Sequence, residues 1–387
     1  MKSVVGFLLA SSLLAGCSSV QEVTSTVLPA SEARQPQKLQ DFAPQAKVRT
    51  LWQVEIGSSN RDVHVRIHPY LNGNTLIVAG GQSVSAWDKT NGKRLWQTPI
   101  NQATISGGVT GGDAQVYLGT SNGNAIALDA NTGQERWRTA LNSEVLGIST
   151  AQTGKVVFRT SDGRLHGIST ANGATLWQQA RPGKSLSLRG AGVPLVVGSM
   201  VIAGFDSGVV TAFDLQSGTA LWEATLAIPN GADDLSRMID VDGKLKAIGE
   251  ALFASSYNGQ IAGINMRNGN IAWSAPYSSN TGVDADANGL YTTNATGDVW
   301  RLEPRTGNPL WKMDDLEGRQ PTVPSIVGDY LLVGDQQGYL HWINARSGQL
   351  AARVRGDSAG YVVPALTDGN ISYSLGRDGL LSAFVLE

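Results

Sequence analysis

One short motif recurs along the chain and limits the folds open to it more than any other feature. A polar or acidic residue is followed four positions later by glycine and four positions after that by tryptophan, as in Asp88 to Trp96 and Asp129 to Trp137. Seven copies share the glycine, which stands at Gly92, Gly133, Gly173, Gly218, Gly269, Gly307 and Gly348. Their spacings of 41, 40, 45, 51, 38 and 41 residues are typical of the blades of a β-propeller.

Each copy predicts a β-hairpin, and the residues before it predict two further strands. Around the first copy, the apolar runs Thr75 to Ala79 and Val84 to Trp87 have the length of strands. The hairpin turn carries a polar residue and then glycine, which adopts positive φ at little cost. Four antiparallel strands per repeat make one blade. With 46 glycines and only 16% charged residues, the composition agrees with an all-β chain of short strands and tight turns.

The two ends of the repeat region predict an eighth blade. Thr50 to Val54 resembles the fourth strand of a repeat that lacks its first three, whereas Tyr361 to Leu386 supplies three strands and lacks a fourth. Pairing of these segments would close the ring and remove its free sheet edges. We therefore predict an eight-bladed β-propeller closed by its N- and C-terminal strands.

The repeated tryptophans are expected to pack between neighbouring blades, because large aromatic side chains in a repeat cover much apolar surface. They are Trp52, Trp96, Trp137, Trp177, Trp222, Trp273 and Trp311. Ala352 takes this position in the seventh copy, so we expect that junction to be packed less fully.

The N-terminus carries an export signal. Lys2 precedes the apolar run Val4 to Leu14, which is too short for a membrane span and has the length of a signal-peptide core. Leu14-Ala15-Gly16-Cys17 resembles the bacterial lipobox, which implies that Cys17 is lipidated and becomes the first mature residue. We assign residues 1–16 to the signal peptide, 17–46 to a lipidated flexible tether rich in Ser, Gln, Thr, Pro and Ala, and 47–387 to the propeller. Ser18, in place of the aspartate that commonly retains lipoproteins at the inner membrane, favours the outer membrane.

Charge and cysteine content exclude several kinds of function. The formal net charge is −2 and no Lys/Arg-rich run occurs, which argues against a nucleic-acid partner. Cys17 is the only cysteine, so one chain forms neither a disulfide nor a cysteine-based zinc site.

The repeats also resemble a known family. The motif is similar to the pyrroloquinoline-quinone-type propeller repeat, which both quinoprotein dehydrogenases and noncatalytic scaffolds contain. Lipobox, eight repeats and the strings SLSLRG (185–190) and IDVDG (239–243) together resemble the family of outer-membrane protein assembly factor BamB, over nearly the whole chain. The resemblance implies a noncatalytic lipoprotein without a cofactor, at the periplasmic face of the outer membrane. It further implies a monomer within a hetero-complex that binds the POTRA domains of BamA and helps deliver unfolded barrel precursors.

Irregular spacing indicates where a partner would bind. The two longest intervals, 45 and 51 residues, are consecutive, and their extra residues, Gly183 to Gly190 and Ile228 to Gly243, lie between the last strand of one blade and the first of the next. Protruding loops with an apolar centre and charged surroundings fit a protein interface. The family resemblance implies partner contacts at Leu186, Leu188, Arg189, Asp240 and Asp242.

Alternative functions remain open at this point. A quinoprotein dehydrogenase would often carry a vicinal disulfide, which one cysteine cannot form. Asp284-x-Asp286-x-Asn288-Gly289 imitates a calcium loop, but Ala295 stands where a glutamate is needed, and a hairpin turn accounts for the string better. His64 and His68 share a strand face without an evident third metal ligand. Capture of extended precursor strands, or ligand sensing in the central channel, are further binding hypotheses.

Overall fold

The chain folds into β-strands throughout the part that the structure describes. The computed structural model describes residues 35–57, 66–101, 103–181, 192–228 and 238–387. These ranges form 32 strands, arranged as eight four-stranded antiparallel sheets. No helix capable of crossing a membrane occurs in them. The predicted all-β, eight-bladed propeller is confirmed.

The strands follow one another blade by blade. The first strand of the chain is β1 (Val48–Glu55). Blades 1 and 2 comprise β2 (Tyr70–Asn72), β3 (Thr75–Gly80), β4 (Ser83–Asp88), β5 (Arg94–Pro99), β6 (Ile105–Gly112), β7 (Gln115–Thr120), β8 (Asn124–Asp129) and β9 (Glu135–Ala140). Blades 3 and 4 comprise β10 (Val145–Ile148), β11 (Lys155–Thr160), β12 (Arg164–Ser169), β13 (Thr175–Ala180), β14 (Leu195–Val197), β15 (Met200–Gly204), β16 (Val209–Asp214) and β17 (Ala220–Thr225).

The remaining blades have the same order. Blades 5 and 6 comprise β18 (Lys246–Ile248), β19 (Ala251–Ser255), β20 (Ile261–Asn265), β21 (Ile271–Ala275), β22 (Val283–Ala285), β23 (Leu290–Thr293), β24 (Val299–Leu302) and β25 (Pro309–Met313). Blade 7 comprises β26 (Ser325–Val327), β27 (Tyr330–Gly334), β28 (Tyr339–Asn344) and β29 (Leu350–Arg355), and blade 8 comprises β30 (Leu366–Asp368), β31 (Ile371–Leu375), β32 (Leu380–Leu386) and β1.

Position within a blade determines how deeply each strand is buried. Nearly every residue of the second strand is buried, as in β3 and β7, because neighbouring blades cover both faces of this strand. The fourth strand alternates between exposed and covered residues, as in β9 and β13. It therefore lies at the circumference, whereas residues of the first strands line a cavity on the axis.

Terminal strands close the ring as predicted. β1 pairs antiparallel with β32, from Val48 opposite Leu386 to Glu55 opposite Leu380. The carboxylate of Glu387 adds ion pairs at this seam, 2.7 Å to Arg49 Nε and 3.0 Å to Lys47 Nζ. Both basic partners are exposed, so solvent screens these pairs and they add little to stability. Strand pairing and the apolar contacts beneath it stabilise the closure.

The repeated tryptophans join consecutive blades through one recurring contact. Each indole Nε1 donates a hydrogen bond of 2.7–3.1 Å to a backbone carbonyl at the hairpin turn of the next blade. The acceptors, in order from Trp52 to Trp311, are the carbonyls of Lys89, Ala130, Thr170, Leu215, Met266, Pro304 and Ala345. The motif glycine of that turn lies against the ring; a Cβ at Gly92 would approach Trp52 to 2.8 Å. Tryptophan and glycine of the motif are thus two halves of one inter-blade contact.

The junction between blades 7 and 8 departs from this rule in an unexpected way. Elsewhere a small residue of the third strand usually faces the tryptophan across the sheet, as Ala86 faces Trp96. In blade 7 the pair is inverted, since Trp342 on β28 faces Ala352 on β29. Trp342 is 1% exposed and packs edge-on against Phe384 of blade 8, at 5.8 Å between ring centroids. The expectation of a less filled junction is wrong, because the aromatic ring comes from the adjacent strand.

Residues 37–46 lie along the outer edges of blades 6 and 7, and we call them the strap. The backbone N–H of Gln37 donates to the Glu317 carbonyl at 2.9 Å, and those of Gln45 and Ala46 donate to the Ala351 carbonyl at 2.8 and 3.2 Å. Ala351 is the residue that the β28–β29 register skips, so its carbonyl is open to this contact. The sequence predicted a flexible tether up to Ala46; its described part is instead bound to the propeller.

Candidate partner-binding face

The predicted interface residues fall into two groups. Cys17, Leu186, Leu188 and Arg189 lie outside the described residues. The other two, Asp240 and Asp242, lie in the described end of the second long connection, shortly before blade 5. Residues 182–191 connect blades 3 and 4, and residues 229–237 lie between blades 4 and 5, so both connections leave from neighbouring blades. We call these two connections and their described flanks the candidate face.

Both carboxylates are buried. Asp240 is 2% exposed and Asp242 is 8% exposed. The backbone carbonyl of Asp240 accepts a hydrogen bond of 2.9 Å from Tyr257 N–H, which ties this segment to blade 5. The expectation that they belong to the charged surroundings of an exposed interface is wrong, because their neighbours Met238, Ile239 and Val241 are buried in the disc as well. Their part in partner binding stays a prediction.

Asp242 belongs to a buried ionic network centred on Arg159. The Arg159 guanidinium lies 3.4 Å from Asp242 Oδ1 and 3.1 Å from Asp206 Oδ1, and it donates to the Gly204 carbonyl at 2.8 Å. Asp242 Oδ1 also accepts a hydrogen bond of 3.3 Å from the backbone N–H of Gly192. The network therefore joins blade 3, blade 4 and the segments that end both long connections.

The surroundings of Asp242 in this network favour its protonated form. Burial raises the pKa of Asp242 to about 7; Arg159 opposes the rise, while Asp206 and Asp240 add to it. Asp242 Oδ2 has no hydrogen-bond partner among the described residues. A buried pair of this kind stabilises little in itself, but loss of one partner leaves an uncompensated buried charge. The network thus holds the ends of the two connections in one arrangement.

Apolar side chains are exposed where the connections meet the described chain. Val193, just after the first connection, is 41% exposed, and Ile228, where the second connection begins, is 78% exposed. Isolated exposed aliphatic residues are common on protein surfaces, but these two flank neighbouring long connections. They add exposed apolar side chains to the region where the sequence predicts an interface.

Sequence reasoning missed Arg159 and Asp206 as parts of the site. Arg159 follows the apolar run Val156 to Phe158 of β11 and is only 4% exposed. An arginine in the buried second strand of a blade needs a nearby carboxylate, and this could have signalled the network. Which carboxylate it meets depends on the fold, because Asp242 lies 83 residues further along the chain.

The carboxylates of the calcium-like string have partners within the protein. Asp284 pairs with Lys244 and Lys246 at 2.7 Å each, and Asp286 Oδ1 accepts from the N–H groups of Asn288 and Gly289 at 2.8 and 2.9 Å. The calcium-like string is therefore a hairpin turn between β22 and β23, as preferred from the sequence. No group of three or more potential metal ligands occurs within the described residues, and His64 lies outside them.

The fold and the candidate face define a class of protein: a repeat propeller with two adjacent long connections whose ends are joined by a buried ionic network. Comparison with known proteins identifies the family within this class. Residues 80–313 and 296–384 match the family described as outer membrane protein assembly factor BamB. The chain belongs to this family.

Individual relatives agree over nearly the whole chain. The BamB of Pseudomonas aeruginosa is 34% identical, covering 91% of this chain and 92% of its own. That of Xanthomonas campestris is 33% identical, with coverage of 96% and 95%. The crystal structure of BamB from Moraxella catarrhalis superposes with a TM-score of 0.80 at 28% identity, covering 88% of this chain and all of the other.

Proposed function

We propose that this chain is a noncatalytic scaffold subunit of the machinery that assembles β-barrel proteins into the outer membrane. It is anchored by lipid on Cys17 at the periplasmic face and binds the POTRA domains of BamA through the candidate face. The observation that carries the proposal is the Arg159–Asp242 network, which joins the ends of both long connections. Membership of a family named for outer-membrane protein assembly supports the process.

Each group of predicted residues has a distinct part in this proposal. Leu186, Leu188 and Arg189 contact the partner: the leucines supply apolar area at the centre of the interface, and arginine is enriched among the residues that dominate binding energy. Asp242 is a positioning residue, because its side chain is buried and reaches Gly192 at the end of the first connection. Pre-arranged loops bind more tightly because less conformational entropy is lost on association.

Scaffolding is favoured over a quinoprotein dehydrogenase. The relatives that cover nearly all of this chain are named assembly factors. The Asp284 string, which most resembled a cation loop, has its carboxylates engaged with Lys244, Lys246 and the turn backbone. Help in delivering unfolded barrel precursors belongs to the same proposal, since a subunit docked on the assembly machinery is close to its clients.

A binding titration tests the proposal. The chain from residue 18 onward, which retains every described residue, is titrated with purified BamA POTRA domains. We expect saturable binding that Leu188→Ala/Arg189→Glu weakens at least about tenfold, equivalent to about 1.4 kcal/mol. Leu95→Ala/Arg94→Glu is the matched control, because it changes an adjacent exposed leucine and arginine on blade 1.

Three results would count against it. Absence of binding by the wild-type chain would overturn the partner assignment. Equal weakening by both double variants would overturn the assignment of the face. Turnover of an alcohol by the chain supplied with pyrroloquinoline quinone and calcium would overturn the noncatalytic role.

A further inference from the structure

The structure contains a largely apolar cavity on the axis of the propeller. It has a volume of about 400 Å³ and is lined by residues in, or close to, the first strands of the eight blades. This volume lies within the range of small-molecule sites, about 300–1,000 Å³. Most of its wall is aliphatic and includes Ile148, Val193, Leu195, Val362 and Leu366.

Basic groups converge at one part of the wall. Arg66 precedes blade 1, yet its Nη1 donates a hydrogen bond of 3.1 Å to the carbonyl of Asn280, which precedes blade 6. Its side chain therefore reaches across the ring. Lys244 and His68 line the same cavity. Asp242 is the only acidic residue among the described lining, and its charge is engaged with Arg159.

Local electrostatics agree with this arrangement. Burial, then Arg66, then Lys244 lower the pKa of His68 to about 4, so the imidazole is neutral at physiological pH and can donate one hydrogen bond. Burial also lowers the pKa of Arg66, although Asp242 opposes this effect. A bound anion would relieve the cost of burying this guanidinium, because burial penalises an incompletely compensated charge.

We propose that the axial cavity binds a small aliphatic carboxylate, with its carboxylate at Arg66, His68 and Lys244 and its hydrocarbon chain along the aliphatic wall. Arginine suits the head group because its planar donors match a carboxylate. The wall suits the tail because branched aliphatic side chains gain by contact with hydrocarbon and offer it no polar partner. The cavity shares Val193 and Asp242 with the candidate face, but binding of the carboxylate does not require the partner protein.

Calorimetric titration with sodium octanoate tests this site on the chain from residue 18 onward. We expect saturable one-to-one binding, with octanol and acetate each at least about tenfold weaker, because one lacks the charge and the other the chain. Arg66→Met should weaken octanoate binding at least about tenfold, and Lys244→Met by a smaller factor, since Lys244 also pairs with Asp284. Lys312→Met, which removes a half-exposed lysine of blade 6, should leave it unchanged.

A filling variant tests the location independently of charge. Val362→Trp should abolish binding because the indole occupies the cavity; if that chain does not fold, Val193→Trp, at a residue 41% exposed, replaces it. The proposal is overturned if the wild-type chain does not bind octanoate. It is equally overturned if binding survives the filling variant, or if octanol binds as tightly as octanoate.

Discussion

The indole Nε1 of Trp52 donates a hydrogen bond of 3.0 Å to the backbone carbonyl of Lys89, and this bond links blade 8 to blade 1 across the closure of the ring. Six further tryptophans repeat the contact between successive blades. The motif recognised in the sequence is therefore a device for joining blades.

Trp52→Phe removes this hydrogen bond and retains most of the ring. We expect a loss of about 1 kcal/mol in the free energy of unfolding, the usual contribution of one such bond, measured by urea denaturation. Trp300→Phe is the control, because Trp300 Nε1 is buried and has no hydrogen-bond partner among the described residues. If Trp300→Phe lowered the free energy of unfolding as much as Trp52→Phe, the hydrogen bond of Trp52 would not account for the loss.

The inverted pair in blade 7 predicts a compensating double substitution. Trp342→Ala should cost about 3–5 kcal/mol because it opens a cavity beside Phe384. Ala352→Trp alone should also destabilise, since it overpacks the same space. The double variant restores the arrangement of the other blades, so we expect a favourable coupling of about 1 kcal/mol or more. Strict additivity in a double-mutant cycle would refute the inversion.

Asp242 predicts a specific dependence of stability on pH. Its folded pKa is about 7, above that of an unfolded aspartate, so the folded state retains a proton that the unfolded state releases. This contribution is fully present below about pH 4 and is lost as pH rises to about 7. Asp242→Asn should lack the decline, as seen in melting temperatures from pH 4 to 8.

Asp284 supplies a control of opposite sign. Burial acts to raise the pKa of Asp284, but Lys244 and Lys246 hold this pKa below its usual range. Its contribution is present at neutral pH and is lost as pH falls through the lowered value. Parallel pH profiles for Asp242→Asn and Asp284→Asn would contradict the account of both residues.

The strap depends on two arginines of blades 6 and 7. Arg353 Nη1 donates to the Gln40 carbonyl at 3.0 Å and its guanidinium lies 5.0 Å from the Phe42 ring centroid; Arg319 Nη1 donates to the Gln37 carbonyl at 3.0 Å. Arg353→Met should accelerate backbone hydrogen exchange in residues 37–46. Arg355→Met is the matched control, since Arg355 contacts Tyr339 instead. Unchanged exchange in both variants would show that the strap is held by other contacts.

Lipid anchoring predicts a simple change of location. Cys17→Ser removes the sulfur that would carry the lipid, so the chain should move from the membrane fraction to the soluble fraction and lose labelling by a palmitate analogue. Ser18→Asp should retain the label and shift the chain towards the inner membrane. A labelled Cys17→Ser chain would exclude Cys17 as the attachment site.

The fold could be predicted because its information is periodic. The glycine spacing fixed the blades, and the incomplete repeats at the two ends predicted the pairing of β1 with β32. The inverted pair escaped prediction because Trp342 lies outside the motif, and only strand pairing reveals that it faces Ala352.

The candidate site was less accessible to such reasoning. Spacing located the two long connections, but burial of Asp242 depends on Arg159, which no local pattern links to it. The strap escaped for a related reason: residues 37–46 have the composition of a tether, and Arg319 and Arg353 become its partners only after blades 6 and 7 have folded.

Hydrogen-exchange footprinting of the chain with and without the BamA POTRA domains tests whether the candidate face binds this partner. We expect the partner to slow exchange in residues 182–191 and 229–237 and in their flanks at Val193 and Ile228. We expect no change in β5, which carries Leu95 on the circumference of blade 1. Protection confined to other blades, with the two connections unaffected, would contradict the candidate face.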